Sequence, residues 1–477
     1  MKNFWYRLLS ALKIIVVMLL IGAATLSIVF AWGYFQHSRQ PSTEVSIPTI
    51  PATEPPTDPP TEPPTEPPEP EHVISRATIG ATGDLLMHMP VIDTARQADG
   101  SYNFDYIFRY LQEYTNAADF AVANLETTLA GAARGYSGYP NFNCPDEIVD
   151  GARNGGFDML LTGNNHSYDT GESGFFRTIE TVRSKGLQTL GTMLNGDEPK
   201  YAIEDINGIK VGMLSYTYQG RPDNGYANRV YLNGLLLHEG AENVVNTFIP
   251  NNPALFYAEV ESYIQQMRSE GAEALVIFLH WGVEYALTPV AHQTQIAQKL
   301  CDLGIDVIVG GHPHVVEPVA LLSSTVDPDH KTVCLYSMGN AVSNQRANVM
   351  KSQPNGYTED GVWFTMTFCK YSDGTVYLED VNLIPTWVYL RTTNGRRYDI
   401  LPLDEATQDQ WAQLYDLQDV TVSAAQRSFN RTMSIVGEVT AAQRWAAMDS
   451  KVGWSISAEL SALSEMARRI TKGIRLR

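Results

Sequence analysis

Cysteine is nearly absent: Cys144, Cys301, Cys334 and Cys369 are the only four in 477 residues. They lie far apart and never in a C-x-x-C spacing, which excludes a zinc-finger module and a disulfide scaffold. Cys301 and Cys334 sit in apolar runs, so buried free thiols are expected, with one disulfide left open in an oxidising compartment. No cysteine lies near the N-terminal apolar run, which excludes a lipoprotein-type anchor. Positive charge is also scarce. With 34 Lys and Arg against 53 Asp and Glu, the formal net charge is -19, which argues against a nucleic-acid-binding surface. The length suits one large domain or two to three average ones.

Residues 1–13 carry Lys2, Arg7 and Lys13, and Ile14 to Phe35 then runs without a charge. That matches the ~20 residues a helix needs to cross a bilayer. A cleaved signal peptide has a shorter apolar core ending in small residues, whereas Gly22-Ala23-Ala24 sits in mid-run, so 14–35 is expected to stay as a transmembrane anchor. The cluster of positive residues before it places 1–13 in the cytoplasm and the rest of the chain outside the cell. Residues 36–72 read as a stalk. Repeats of Thr-Glu-Pro-Pro and Thr-Asp-Pro-Pro without Lys or Arg cannot bury a core and favour extended polyproline II, with a reach of up to ~90 Å.

From residue 73 to about 395, β-rich and helix-patterned segments alternate, which implies an α/β layered fold. Five apolar runs end in chemistry-bearing residues. The first, Arg76 to Thr82, runs into Gly83-Asp84; the second, Asp119 to Ala123, into Asn124-Leu125-Glu126. The third, Phe157 to Leu161, leads to Asn164-Asn165-His166 with Asp169 beyond, and the fourth, Ala274 to Leu279, to His280-Trp281-Gly282-Val283-Glu284-Tyr285. The fifth, Val307-Ile308-Val309, stops at two glycines and delivers His312-Pro313-His314. Singly, each has an ordinary reading as a turn former, a solvated charge or a core histidine. In open α/β sheets, however, sites lie beyond the carboxyl ends of strands. Asp84, Asn124, Glu126, Asn165, His280, His312 and His314 together would make a mixed oxygen and nitrogen set for one or two divalent ions, with Mn, Zn or Fe favoured and Mg less suited.

These segments, with Tyr336-Ser337-Met338-Gly339-Asn340, resemble in order the motifs of the CapA, or poly-γ-glutamate capsule synthesis, family over about Ala77 to Ile384. That family is similar to calcineurin-like metallophosphoesterases, so the resemblance implies a four-layer α/β/β/α sandwich with metal ions at one edge. It also implies that Asp84, Glu126 and His314, with His88 as an addition, bind one metal, and that Glu126 bridges to a second held by Asn165, His280 and His312. His166 would face the substrate, supported by the catalytic carboxylates Asp169 and Glu284. Asn124, Trp281, Tyr285 and Asn340 would contact substrate.

Two positions depart from the phosphoesterase pattern: its Asp-x-His becomes Asp84 with His88 four residues on, and its bridging aspartate becomes Glu126. These changes bear on the first metal site and leave open one ion, two or none. Beyond the motifs, Gly361 to Cys369 and Gly374 to Ile384 read as a hairpin, and residues 396–477 as a mainly helical extension with a basic end. The resemblance implies a membrane-anchored extracellular protein in the synthesis of poly-γ-glutamate or a related cell-envelope polymer, acting by metal-dependent hydrolysis or transfer. Its partners would be that anionic polymer and other capsule-assembly membrane proteins, and no nucleic acid. The alternatives are a non-catalytic polymer-binding or export subunit and a general extracellular metallophosphoesterase.

Overall fold

The computed structural model describes residues 72–437 apart from 223, 224, 227 and 394. The expected anchor at 14–35, nearly all of the stalk and the basic C-terminal segment lie outside the described residues. No helix among the described residues is long and apolar enough to cross a membrane.

In chain order, the first sheet takes β1 (Val73–Leu86), β2 (Phe120–Glu126), β3 (Met159–Leu161) and β4 (Gln188–Leu190). The second begins with β5 (Tyr201–Ile206) and β6 (Ile209–Tyr218). After a small hairpin, β7 (Tyr231–Leu232) and β8 (Leu235–Leu236), it continues with β9 (Thr247–Phe248), β10 (Ala274–His280), β11 (Val307–Gly311), β12 (Val319–Ser323) and β13 (Lys331–Leu335). The chain then returns to the first sheet through β14 (Asn340–Val342), β15 (Asp360–Tyr371), β16 (Val376–Arg391) and β17 (Arg397–Pro402). The resulting orders are β17-β16-β15-β1-β2-β3-β4, with β14 also beside β1, and β12-β13-β11-β10-β6-β5, with β9 beside β6. The strands that end in candidate site residues all pair in parallel: β1 with β2, β2 with β3, and β10 with β11. The expected hairpin is β15 and β16. The described part of the 396–477 extension opens with the edge strand β17 and then turns helical.

Side chains alternate across a strand, so a strand covered on both faces is apolar at both parities. Ala274, Val276 and Phe278 of β10 join Val122 of β2 and Ile79 of β1 in one cluster drawn from both sheets. Leu275, Ile277 and Leu279, on the other face, pack with Phe256, Val260, Ile296 and Leu300 from the helices Ala254–Ser269 and Ala291–Asp302. The outer face of the first sheet, with Ala121, Ala123 and Leu125, is covered by Val91, Ile107, Ile148 and Val182. Each Val, Leu, Ile or Phe among these, fully buried, contributes about 1.5–3 kcal/mol. All four cysteines are free and buried.

One irregularity aims the site. In β1, Ala77, Ile79 and Ala81 face the shared core, and strict alternation would turn Asp84 to the opposite face. The register slips between Thr82, opposite Ala123, and Asp84, opposite Asn124. The extra residue, Gly83, makes a bulge that restores Asp84 to the inter-sheet side. Only glycine fits there, because a Cβ would lie 1.9 Å from the carbonyl oxygen of Gly339, which also accepts the Asp84 N–H at 3.1 Å. Gly83→Ala is expected to cost roughly 1–3 kcal/mol in urea unfolding, as overpacked sites do; a change below ~0.5 kcal/mol would contradict this role of the bulge.

Candidate metal centre

Each donor is placed by the strand that carries it. In β2, Phe120 and Val122 face the shared core, so Asn124 and Glu126 prolong that face past the apolar layer. In β10, Ala274, Val276 and Phe278 do the same for His280. His312 and His314 follow β11 with φ of 96° and 57°. Left-handed backbone at two non-glycine residues costs about 1–3 kcal/mol each and persists only where the surroundings over-determine it. The surroundings here are the Asp84 carboxylate, which accepts from the His312 N–H at 3.4 Å, and the Asn340 amide, which donates to the His314 carbonyl at 3.3 Å. The Pro313 carbonyl also accepts from the Tyr285 N–H at 2.7 Å.

Two groups result, Glu126 with His280 and His312, and Asp84 with Glu126 and His314; within each, the ligand atoms lie within 4.8 Å of one another. Glu126 belongs to both. Its Oε1 is 3.4 Å from His280 Nε2 and 3.8 Å from His314 Nε2. Asn165 Oδ1 lies 2.7 Å from His280 Nε2. A test of fit for a cation is whether the donors are otherwise committed. Neither oxygen of the fully buried Glu126 has a hydrogen-bond partner, and neither does His312 Nδ1. Buried polar atoms are almost always paired, so a carboxylate left bare among imidazoles fits a site for a divalent ion.

Electrostatics point the same way for Glu126 and His312, while His314 holds a proton that an ion would replace. Burial alone would raise Glu126, but His314, His280 and His166 hold it well below the usual carboxylate range. Burial opposes charge on His314, yet Glu126 and Asp84 outweigh it and push its pKa up to about 9. Burial, with His280 and His314 beside it, keeps His312 neutral by driving its pKa well below the ordinary value. Neutral imidazole and ionised carboxylate are the ligating forms. His314 Nδ1 lies 3.1 Å from Asp84 Oδ2 and 3.2 Å from Asn340 Oδ1. The Asn340 amide nitrogen donates to the carbonyls of His314 and Thr358 and to Gln345 Oε1. Its oxygen therefore faces His314, Nδ1 carries a proton, and Nε2 is directed toward Glu126.

Beside the centre, His166 Nδ1 lies 2.7 Å from Asp169 Oδ2, which also accepts from the Phe142 N–H at 2.7 Å. Burial works against charge on His166, but Asp169 prevails and raises its pKa. The Phe142 ring stands edge-on to His166 and His88, with centroids 4.7 and 5.2 Å away.

The other expected site residues fall in different places. Asn124 donates to Asp84 Oδ1 at 2.8 Å and accepts from Asn164, so its amide is taken up in orienting ligands. Asn340, expected among the substrate contacts, is fully enclosed and bonded as described above. Trp281, also expected there, has the opposite parity to His280: it is fully buried in the outer helix-facing core and donates to the Tyr336 carbonyl. Neither is placed to touch substrate. His88 stands outside both ligand groups, its Nδ1 between the Leu86 carbonyl and the Asn344 N–H. Burial lowers its pKa to about 4. Tyr285 is half-buried, its ring 6.3 Å from that of His314, and Glu284 is exposed beside it. Sequence reasoning missed Phe142, the orienting role of Asn164, and Tyr218, whose ring lies 4.7 Å from that of His312. Nothing local marks them, since each acts through a long-range contact.

A centre of this kind, built where parallel strands of two sheets end, is a buried histidine–carboxylate cluster with the donor types a divalent ion takes. Residues 78–345 match the family described as bacterial capsule synthesis protein PGA_cap, and the chain belongs to that family. It is similar to the capsule biosynthesis protein CapA of Bacillus anthracis, 25% identical over 57% of this chain and 60% of that protein. It is also similar to the PGA biosynthesis protein CapA of Bacillus subtilis (strain 168), 27% identical over 55% of this chain and 62% of that protein. The match thus spans about three fifths of each relative. Among solved structures, a sulfate thiohydrolase SoxB from Thermus thermophilus, in complex with glycerol, aligns over 69% of this chain and 46% of its own at 14% identity, with a TM-score of 0.34.

Binding a cation at Asp84, Glu126 and His314 must displace the proton that His314 carries below about pH 9. Mn²⁺ affinity is therefore expected to rise about tenfold per pH unit between 7 and 9 and then level off, with about one proton released per ion at pH 7. Because this folded pKa lies above the ordinary 6.5, the stability it gives the metal-free protein is complete below pH ~6.5 and is lost as pH rises through about 9. Calorimetry in buffers of different ionisation enthalpy measures the release. An affinity flat from pH 7 to 9 would contradict the assignment.

Proposed function

We propose that this protein acts in the synthesis of poly-γ-glutamate or a related anionic cell-envelope polymer, and that it does so by metal-dependent hydrolysis or transfer. Its fold is of the four-layer, calcineurin-like metallophosphoesterase type, tethered to the membrane by 14–35 with the sheets outside the cell. The polymer and other capsule-assembly membrane proteins are its partners. The observation that carries this reading is the bare, buried Glu126 carboxylate shared by two histidine-containing groups.

Asp84, Glu126 and His314 would hold one ion, and Glu126, His280 and His312, with Asn165 alongside, a second. Bound Mn²⁺, Zn²⁺ or Fe²⁺ would supply Lewis acidity toward a substrate oxygen. The chain supplies the rest. Asp169 engages His166 at Nδ1 and favours its protonated form, so Nε2 is free to pass a proton to a leaving group. Glu284, exposed, and Tyr285, half-buried near His314, would contact the incoming chain.

A second reading, a polymer-binding or export subunit without turnover, is favoured by one observation. Both Asp84 oxygens already accept hydrogen bonds within the protein, from Asn124 and from the His312 N–H, and His88 stands apart, so the first half-site is the poorer in ligands.

His312→Ala and Asn165→Ala are expected to lower metal content, read by plasma mass spectrometry, and to abolish hydrolysis in a folded protein. Unchanged stoichiometry in both would refute the ligand assignment. His166→Asn is expected to keep its metal and lose about 10²–10⁴-fold in rate, as removal of a general acid does. Cleavage of a γ-glutamyl polymer supports the capsule reading, cleavage of aryl phosphate alone a general phosphoesterase, and polymer binding without metal the subunit.

A further inference from the structure

The residues that match the family end at 345, yet the metal centre is braced from well beyond that point. Asn340, which fixes the proton on His314 Nδ1, donates to the Thr358 carbonyl at 3.0 Å and to Gln345 Oε1 at 3.0 Å. Thr358 Oγ1 in turn donates to the Gln345 carbonyl at 2.5 Å. Next along the chain, Asp360 is a buried carboxylate, 2% exposed. It is gripped by the helix Asp419–Ile435: Arg431 donates from Nε to Oδ2 and from Nη2 to Oδ1, both at 2.7 Å, and Ser428 Oγ donates to Oδ1 at 2.6 Å. Arg431 Nη2 also reaches the Gly356 carbonyl at 3.2 Å.

Between this grip and the ligand there is no slack. A Cβ on Gly339 would lie 2.5 Å from the Asp360 carbonyl oxygen, and one on Gly361 would lie 2.2 Å from that of Asn340. Asp360 cannot shift without displacing the backbone on which Asn340 sits.

We infer that Arg431 and Ser428 are positioning residues of the metal centre: the helix Asp419–Ile435 clamps Asp360 and so holds Asn340 against His314. This rests on the reading of Asp84, Glu126 and His314 as an ion site. Removing a partner that orients a ligating histidine weakens metal binding about 10- to 100-fold, and a bidentate guanidinium is not replaced in full by an ammonium.

The test is Mn²⁺ calorimetry on the chelator-stripped full-length chain in detergent, for wild type, Arg431→Met, Arg431→Lys and Ser428→Ala. The melting temperature of each metal-free protein and the visible spectrum of each Co²⁺-loaded protein are recorded alongside. Arg431→Met is expected to weaken binding about 10- to 100-fold and to alter the Co²⁺ spectrum, with Arg431→Lys restoring part of the affinity and Ser428→Ala losing less. A folded Arg431→Met with wild-type affinity and spectrum overturns the proposal, even if its melting temperature falls, because the clamp is then purely structural. Should Arg431→Met fail to fold, Ser428→Ala decides: weakened binding supports the clamp and wild-type binding overturns it. Wild-type protein that takes up no Mn²⁺ overturns the metal reading and this proposal together, whereas unaffected variants of a metal-binding wild type overturn the clamp alone.

Discussion

The structure turns on one carboxylate. Glu126 is fully buried, lacks a hydrogen-bond donor on either oxygen, and has His280 and His314 within 4 Å. Taking an ion of this kind out of water costs several kcal/mol even after relaxation, unless charge and geometry compensate. The compensation here comes from imidazoles on both sheets, and their placement accounts for features that otherwise look unrelated. The Gly83 bulge turns Asp84 inward, the parities of β2 and β10 carry Glu126 and His280 past the apolar layer, and left-handed backbone at His312 and His314 folds the last loop over the same point. Each is locally unfavourable or restrictive, and each makes sense once a cation completes the cluster.

Much of this was legible in the sequence. The apolar runs at 76–82, 119–123, 157–161, 274–279 and 307–309 correspond to β1, β2, β3, β10 and β11, because parallel strands covered on both faces leave a dense β-branched signature. The donors that follow those runs meet, as the strand-end rule anticipates. Parity at the strand ends decides the exceptions. Trp281 follows His280 directly and so points to the opposite side, which makes it a core residue. Asn340 has the polarity of a pocket residue, but its amide is consumed by Gln345, Thr358 and His314, contacts made across 5, 18 and 26 positions of chain. The bulge at Gly83 left no local mark either, since the residue that forbids a side chain there, Gly339, is distant in sequence.

The two halves of the centre are unequal. Around His280 and His312, both Glu126 oxygens and His312 Nδ1 are without partners and the His312 imidazole is held neutral, while His280 Nε2 meets Asn165 Oδ1. Around Asp84 and His314 they are already tied to one another, to Asn124 and to Asn340. On the proposed reading the two groups differ in affinity for a cation, and the bonds of Asn340 tie the weaker one to the part of the molecule after residue 345. On that reading the helix Asp419–Ile435 serves the site as well as the fold.

The account stands or falls on a cation at Glu126. Anomalous diffraction at the manganese edge, from crystals grown with Mn²⁺, addresses it directly. A peak within bonding distance of Glu126, His280 and His312 is the result expected, with a weaker one beside Asp84 and His314. A map without a peak among these side chains, with Glu126 bonded instead to water or protein donors, would contradict it.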